Sequence, residues 1–186
     1  MMFKNAIHRA INAVGYDVRR LSKVVKPPFV KPEEMATPLS QEHVDGAILY
    51  ADRVQALDSL PRGGVVAEIG VSAGDFSAAM LARLAPRRFD AFDLFTVHES
   101  ERFMGWSPKE RFDRGTHRTH YERRFAKEIA AGVAHVHEGD SSREMERQPD
   151  STYDVIYIDG DHSLEGVTRD AFVSACKIKP DGVLIF

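Results

Sequence analysis

The sequence predicts an α/β protein built on a doubly wound, mostly parallel sheet. Three observations predict it. From residue 65 onward, short apolar runs of strand length alternate with segments of helical period. A glycine-containing turn joins the first of these runs to the helical segment after it. Acidic residues then close successive runs, at the strand ends that line a ligand crevice in such sheets. The chain has 186 residues, 43% hydrophobic and 28% charged, enough for one domain with a real core and an appendage.

Residues 1–39 form the appendage. Phe3, Ile7, Ile11 and Val14 recur at helical spacing before Gly15, which predicts a short amphipathic helix. A proline-punctuated linker from Lys26 to Pro38 follows. Residues 1–31 carry seven basic side chains against one acid, although the whole chain has a net charge of -3. A basic end on an acidic body points to peripheral contact with an anionic membrane surface rather than to nucleic-acid binding. Docking on the body or on a second copy in a homo-oligomer is the competing use of this helix. The start lacks the apolar stretch of a secretory signal, and no run reaches the ~20 residues that cross a bilayer. Cys176 is the single cysteine, so no intramolecular disulfide forms and a reducing, cytoplasmic location is expected.

The second domain is expected over residues 40–186. Ser40 reads as the N-cap of a helix running to about Leu60, ended by Pro61-Arg62-Gly63-Gly64. Val65 to Ile69 is then a buried strand, Phe76 to Leu84 a helix and Arg88 to Phe92 a second strand. A polar stretch from Thr96 to Arg118 holds Phe103, Trp106 and Phe112, which suit packing better than a substrate lid. Thr116 to Ala131 reads as a helix in which His117 and His120 occupy a solvated face. Val133 to His137 and Tyr153 to Ile158 are strands, Ser163 to Ile178 a helix, and Val183 to Phe186 a fifth strand.

The chemistry concentrates at the strand ends. In Glu68-Ile69-Gly70-Val71-Ser72-Ala73-Gly74, glycines permit a sharp turn and close approach of a ligand, while the following helix offers unpaired N–H donors. Asp93 stands 23 positions after Gly70, where a carboxylate can grip both hydroxyls of a ribose. Asp140 closes the third strand, where it can accept from an adenine amino group, and Asp159 closes the fourth.

Over Val65 to Phe186 these features resemble the Rossmann-like class I S-adenosylmethionine-dependent methyltransferases. The resemblance is carried by the turn, by I-D-G-D-H-S at Ile158–Ser163 and by K-P-D-G-V-L-I-F at Lys179–Phe186, and it is closest to bacterial small-molecule O-methyltransferases. It implies transfer of a methyl group to an oxygen of a small molecule, sugar or glycan. It also implies that Glu68, Gly70, Gly74 and Ser77 surround the methionine moiety, that Asp93 binds the ribose, that Asp140 and Ser141 flank the adenine, and that Asp159 lies near the methyl group. His162 is the side chain near this crevice whose ordinary pKa suits a general base, and a purely structural loop histidine is the competing reading. In related enzymes the fourth-strand aspartate helps bind a divalent cation such as magnesium, so Asp159 is a candidate ligand. The resemblance implies two strands beyond Phe186, so the sequence is expected to be C-terminally incomplete.

Three rivals stand beside this reading. Gly70-Val71-Ser72-Ala73-Gly74 matches the G-x-S-x-G elbow of serine hydrolases, which would make Ser72 a nucleophile, but only one helix and a linker precede it. A nicotinamide-dependent oxidoreductase would need the third glycine of G-x-G-x-x-G, and position 72 is serine. A catalytically inactive cofactor-binding module is the non-enzymatic alternative.

Overall fold

The computed structural model describes residues 40–186, so the amphipathic helix, the linker and the membrane contact expected of residues 1–39 lie outside the described residues. The chain divides into two units, Met1–Ile48 and Leu49–Phe186. In the described part of the first, a 3-10 turn covers Gln41–His43.

The single helix expected from Ser40 to Leu60 does not form. Gly46 takes a positive φ of 76°, which no helix continues through, and Ser40 donates to the Glu42 carboxylate instead of capping a long helix. The helical part is a single turn, α1 (Arg53–Ala56), followed by a 3-10 turn at Leu57–Ser59. Asp52 caps α1 by accepting from the N–H groups of Val54 and Gln55 at 2.8 and 2.9 Å.

The remaining elements alternate as the sequence pattern demands. They are β1 (Val65–Ile69), α2 (Asp75–Leu84), β2 (Arg88–Asp93), α3 (Pro108–Arg111), α4 (His117–Arg124), α5 (Ala126–Ala130), β3 (Ala134–Glu138), α6 (Ser141–Glu146), β4 (Tyr153–Ile158), α7 (Leu164–Lys177) and β5 (Ile178–Ile185). Every strand pair is parallel, in the order β3-β2-β1-β4-β5. The chain builds outward from β1 to β3, then crosses back to place β4 on the other side of β1. That reversal opens a crevice at the carboxyl ends of β1 and β4.

Because both faces of the sheet are covered, the central strands are mostly apolar, with Glu68 and Asp90 as buried acids, and alternate residues feed different cores. Val66, Phe89, Ala91, Val155 and Tyr157 point to one side, against Phe76, Met80 and Leu84 of α2 and Tyr121 of α4. Val65, Ala67, Ile69, Phe92, Ile156 and Ile158 point to the other, with Met145 of α6 and Ala171 and Val173 of α7 beside them. Each fully buried side chain of this size contributes about 1.5–3 kcal/mol.

Three further differences from the sequence pattern have local causes. The helix expected from Thr116 to Ala131 breaks at Phe125 (φ -108°, ψ 25°), giving α4 and α5. The six-residue α6 is too short to carry a periodic signal and is set by Asp140, which accepts from the Arg143 N–H. Strand β5 starts at Ile178, directly from α7, and carries an irregularity before Val183 pairs with Val155.

Candidate functional site

The crevice holds a cleft of about 330 Å³, within the range of small-molecule sites. Its floor is the meeting point of β1 and β4. Asp159 N–H donates to the Ile69 carbonyl and Gly70 N–H to the Phe92 carbonyl, both at 2.8 Å. A Cβ on Gly70 would lie 2.3 Å from the Asp159 carbonyl oxygen, so the glycine is required by backbone approach as well as by its φ of 82°. Gly74 is explained by packing from the other side, since its Cβ would meet the Phe125 ring at 2.6 Å.

Gly70, Asp93, Asp140, Ser141 and Asp159 line the cleft together. Asp93 is held by the backbone: Val71 N–H donates to one carboxylate oxygen at 2.8 Å and Phe95 N–H to the other at 2.7 Å. A carboxylate oxygen accepts more than one bond, so Asp93 keeps lone pairs for a ligand. Asp140 sits at the N-terminus of α6, and the Ser142 hydroxyl and Arg143 N–H hold its carboxyl below the usual range. Ser141 Oγ donates to Asp170 at 2.6 Å.

Glu68, Gly74 and Ser77 are not among the cleft-lining residues. Glu68 is buried behind the turn, where Ser77 Oγ donates to it. Burial pushes the Glu68 carboxyl up to about 8, against the opposing effect of the Ser77 bond, so it is largely protonated at neutral pH. His162 stands outside the cleft wall with a side chain 79% exposed, its Nε2 3.3 Å from Asp159 Oδ1.

Several groups at the site carry no local sequence signal. Arg53 of α1 donates to Asp159 Oδ2 at 3.0 Å and to the Tyr157 hydroxyl at 3.1 Å, and its guanidinium lies 4.5 Å from the centre of the Phe76 ring. Asp161 and Asp170 join Asp93, Asp140 and Asp159 on the lining, and burial raises the Asp170 carboxyl. Arg169 is the one basic side chain on that lining among the described residues. Five carboxyl groups against one guanidinium favour a cationic ligand and repel an anionic diphosphate.

His117 and His120 do not occupy a solvated face. His117 is fully buried against Phe112, with stacked rings 5.1 Å apart, and His120 lies 4.9 Å from the same ring. Phe112, Trp106 and Phe103 form an edge-to-face chain at 5.5 and 5.4 Å, and Phe103 reaches the cleft wall.

The donor set does not fit a divalent cation at Asp159. Among the described residues no group of three or more His, Cys, Asp or Glu side chains is placed to hold a metal ion, and the Asp159 carboxylate is engaged by Arg53 and His162. The negative charge of the lining suits a cationic group such as a sulfonium, and among the described residues the cleft offers no cationic phosphate cradle. The hydrolase rival lacks its base beside Ser72, since His162 stands exposed beside Asp159 outside the cleft wall and His117 Nε2 bonds the Ser72 carbonyl rather than its hydroxyl.

A family profile described as a methyltransferase domain matches residues 67–186. Among solved structures, the chain is similar to the precorrin 8W decarboxylase of Methanobacterium thermoautotrophicum (17% identity, TM-score 0.47, 84% of this chain and 67% of that one). It is also similar to an O-methyltransferase family protein from Burkholderia thailandensis (17%, 0.47, 70% and 35%) and to the mitomycin 7-O-methyltransferase (20%, 0.45, 70% and 33%). The chain thus spans about a third of the length of these last two. No curated protein matches it in sequence. Among the described residues no helix is long and apolar enough to cross a membrane.

Proposed function

Since the chain belongs to the methyltransferase-domain family, we propose that it transfers the methyl group of S-adenosylmethionine to an oxygen of a small-molecule or sugar acceptor. The observation that carries this reading is the acidic cleft at the sheet's switch point, with Asp93 fixed by two backbone N–H groups. When bound, S-adenosylmethionine supplies an electrophilic methyl whose bond to sulfur breaks as the acceptor oxygen attacks, leaving a neutral thioether.

The chain's own residues bind, orient and move a proton. Asp93 accepts from the ribose hydroxyls, while Asp140 and Ser141 face the adenine edge. Asp159 stands beside the exposed side chains of Arg53 and His162. His162, whose Nε2 faces Asp159, takes the acceptor's hydroxyl proton at Nδ1, and the Asp159 carboxylate stabilises the imidazolium that results. Glu68 and Ser77 support the glycine turn from behind, and Gly74 admits the rings on which it rests. The basic residues 1–31 favour an acceptor near an anionic membrane face, such as a lipid-linked glycan.

Calorimetric titration tests the cofactor. S-adenosylmethionine binds with micromolar or tighter affinity, while NAD, carrying an anionic diphosphate, binds at least about a hundredfold more weakly. Transfer of a radiolabelled methyl to phenolic and sugar acceptors then tests the reaction. Equal affinity for the two cofactors overturns the reading. Binding without transfer to any acceptor of either class leaves a cofactor-binding module in its place.

A further inference from the structure

His117 opens α4, is fully buried, and touches two separate parts of the cleft. Its Nε2 is hydrogen-bonded to the carbonyl of Ser72, at the centre of the glycine turn, where the backbone takes a positive φ of 47°. A carbonyl only accepts, so Nε2 must carry the proton. The other nitrogen, Nδ1, has no hydrogen-bond partner among the described residues and lies 3.8 Å from Asp93 Oδ1. The ring cannot swing away, because Phe112 stacks on it and Phe95 packs at 4.9 Å. A plain packing role would be served by an apolar ring, with no polar nitrogen left buried at a cost.

We propose that His117 is a positioning residue for the cofactor: it ties the Ser72 carbonyl and thereby fixes the turn beside the Asp93 carboxylate. The strained φ at Ser72 is held by this bond from one side, and Val71 N–H is anchored to Asp93 from the other. The turn and the ribose-facing carboxylate are therefore set as one unit before any ligand arrives. Such preorganisation is felt as affinity for the cofactor, and the chemical step is left alone. The proposal rests on the reading of the cleft as an S-adenosylmethionine site.

The test compares His117→Leu, which removes the donor, with His117→Gln, whose amide N–H takes the place of Nε2–H, in the full chain. His117→Leu weakens S-adenosylmethionine binding by about tenfold, and His117→Gln stays within about threefold of the wild type. In both, kcat at saturating S-adenosylmethionine and the KM for the acceptor stay within about twofold, which separates positioning from catalysis. A His117→Leu protein that melts lower but binds the cofactor as tightly as wild type overturns the proposal. Nitrogen-15 spectra of the wild-type histidines give a readout independent of how the variants fold. The Nε2–H tautomer for His117 is expected, and the Nδ1–H tautomer refutes the bond to Ser72. If the wild type takes up no S-adenosylmethionine, the reading of the cleft falls and this role falls with it. If the wild type binds and His117→Leu binds equally, this role alone falls.

Discussion

The two rims of the cleft are built from different materials. On the β2 side, Asp93 is gripped by two backbone N–H groups, and the turn beside it is backed by buried Glu68, Ser77 and His117. On the β4 side, Asp159 is met by the ends of long side chains, Arg53 and His162, whose exposures are 56% and 79%. Backbone bonds cost little further ordering when a ligand arrives, whereas exposed long side chains trade places with water at small cost. On the function proposed above, the fixed rim takes the cofactor and the adaptable rim takes the acceptor.

The largest expected effect lies beneath the fixed rim. The folded state raises the Glu68 carboxyl to about 8, well above its ordinary value of 4.5, so the native protein keeps a proton that the unfolded chain gives up. The associated stability is complete below pH 4.5, falls as pH rises toward 8, and is lost above that. At about 1.4 kcal/mol per pH unit, the loss amounts to a few kcal/mol across the window. Glu68→Gln keeps the neutral shape without the titration. Denaturant melts at pH 5, 7 and 9 should show a wild-type decline that the variant largely lacks, and parallel declines would mean that Glu68 is ionised when folded.

An intermediate effect is expected at Asp93. Asp93→Ala removes the acceptors proposed to meet the ribose and frees the Val71 and Phe95 N–H groups. S-adenosylmethionine affinity should fall by about ten- to a hundredfold by calorimetry, with a smaller change in kcat at saturation. A loss confined to kcat would erase the contrast between the rims. The smallest effect belongs to Arg53. Its ion pair with Asp159 is half exposed and worth less than about 1 kcal/mol of stability. Arg53→Ala should shift acceptor KM or kcat by less than about tenfold and leave cofactor affinity unchanged; a matching drop in cofactor affinity would make the two rims one.

Legibility in the sequence follows the same division. The central strands β1 and β4 and the helix α2 were readable because each buries apolar side chains, and Asp93, Asp140 and Asp159 were readable as strand ends converging on one crevice. What escaped was tertiary. Nothing in H-R-T-H distinguishes a solvated turn from a buried one; His117 is inside because Phe95 and Phe112 close over it. Phe125 has the composition of a helix interior, yet its ring is needed against Gly74. Arg53 reaches Asp159 from 106 positions away, a separation that leaves no periodic trace. Glycines that suggested ligand contact turn out to be demanded first by the protein's own backbone and rings.

The abutment of Gly70 against the Asp159 carbonyl leaves no room for even one added carbon, so the turn after β1 and the loop after β4 share a wall without slack. A side chain added at position 70 would therefore displace the loop that carries Asp159 as well as the turn itself, so one substitution there would disturb both strand ends at once.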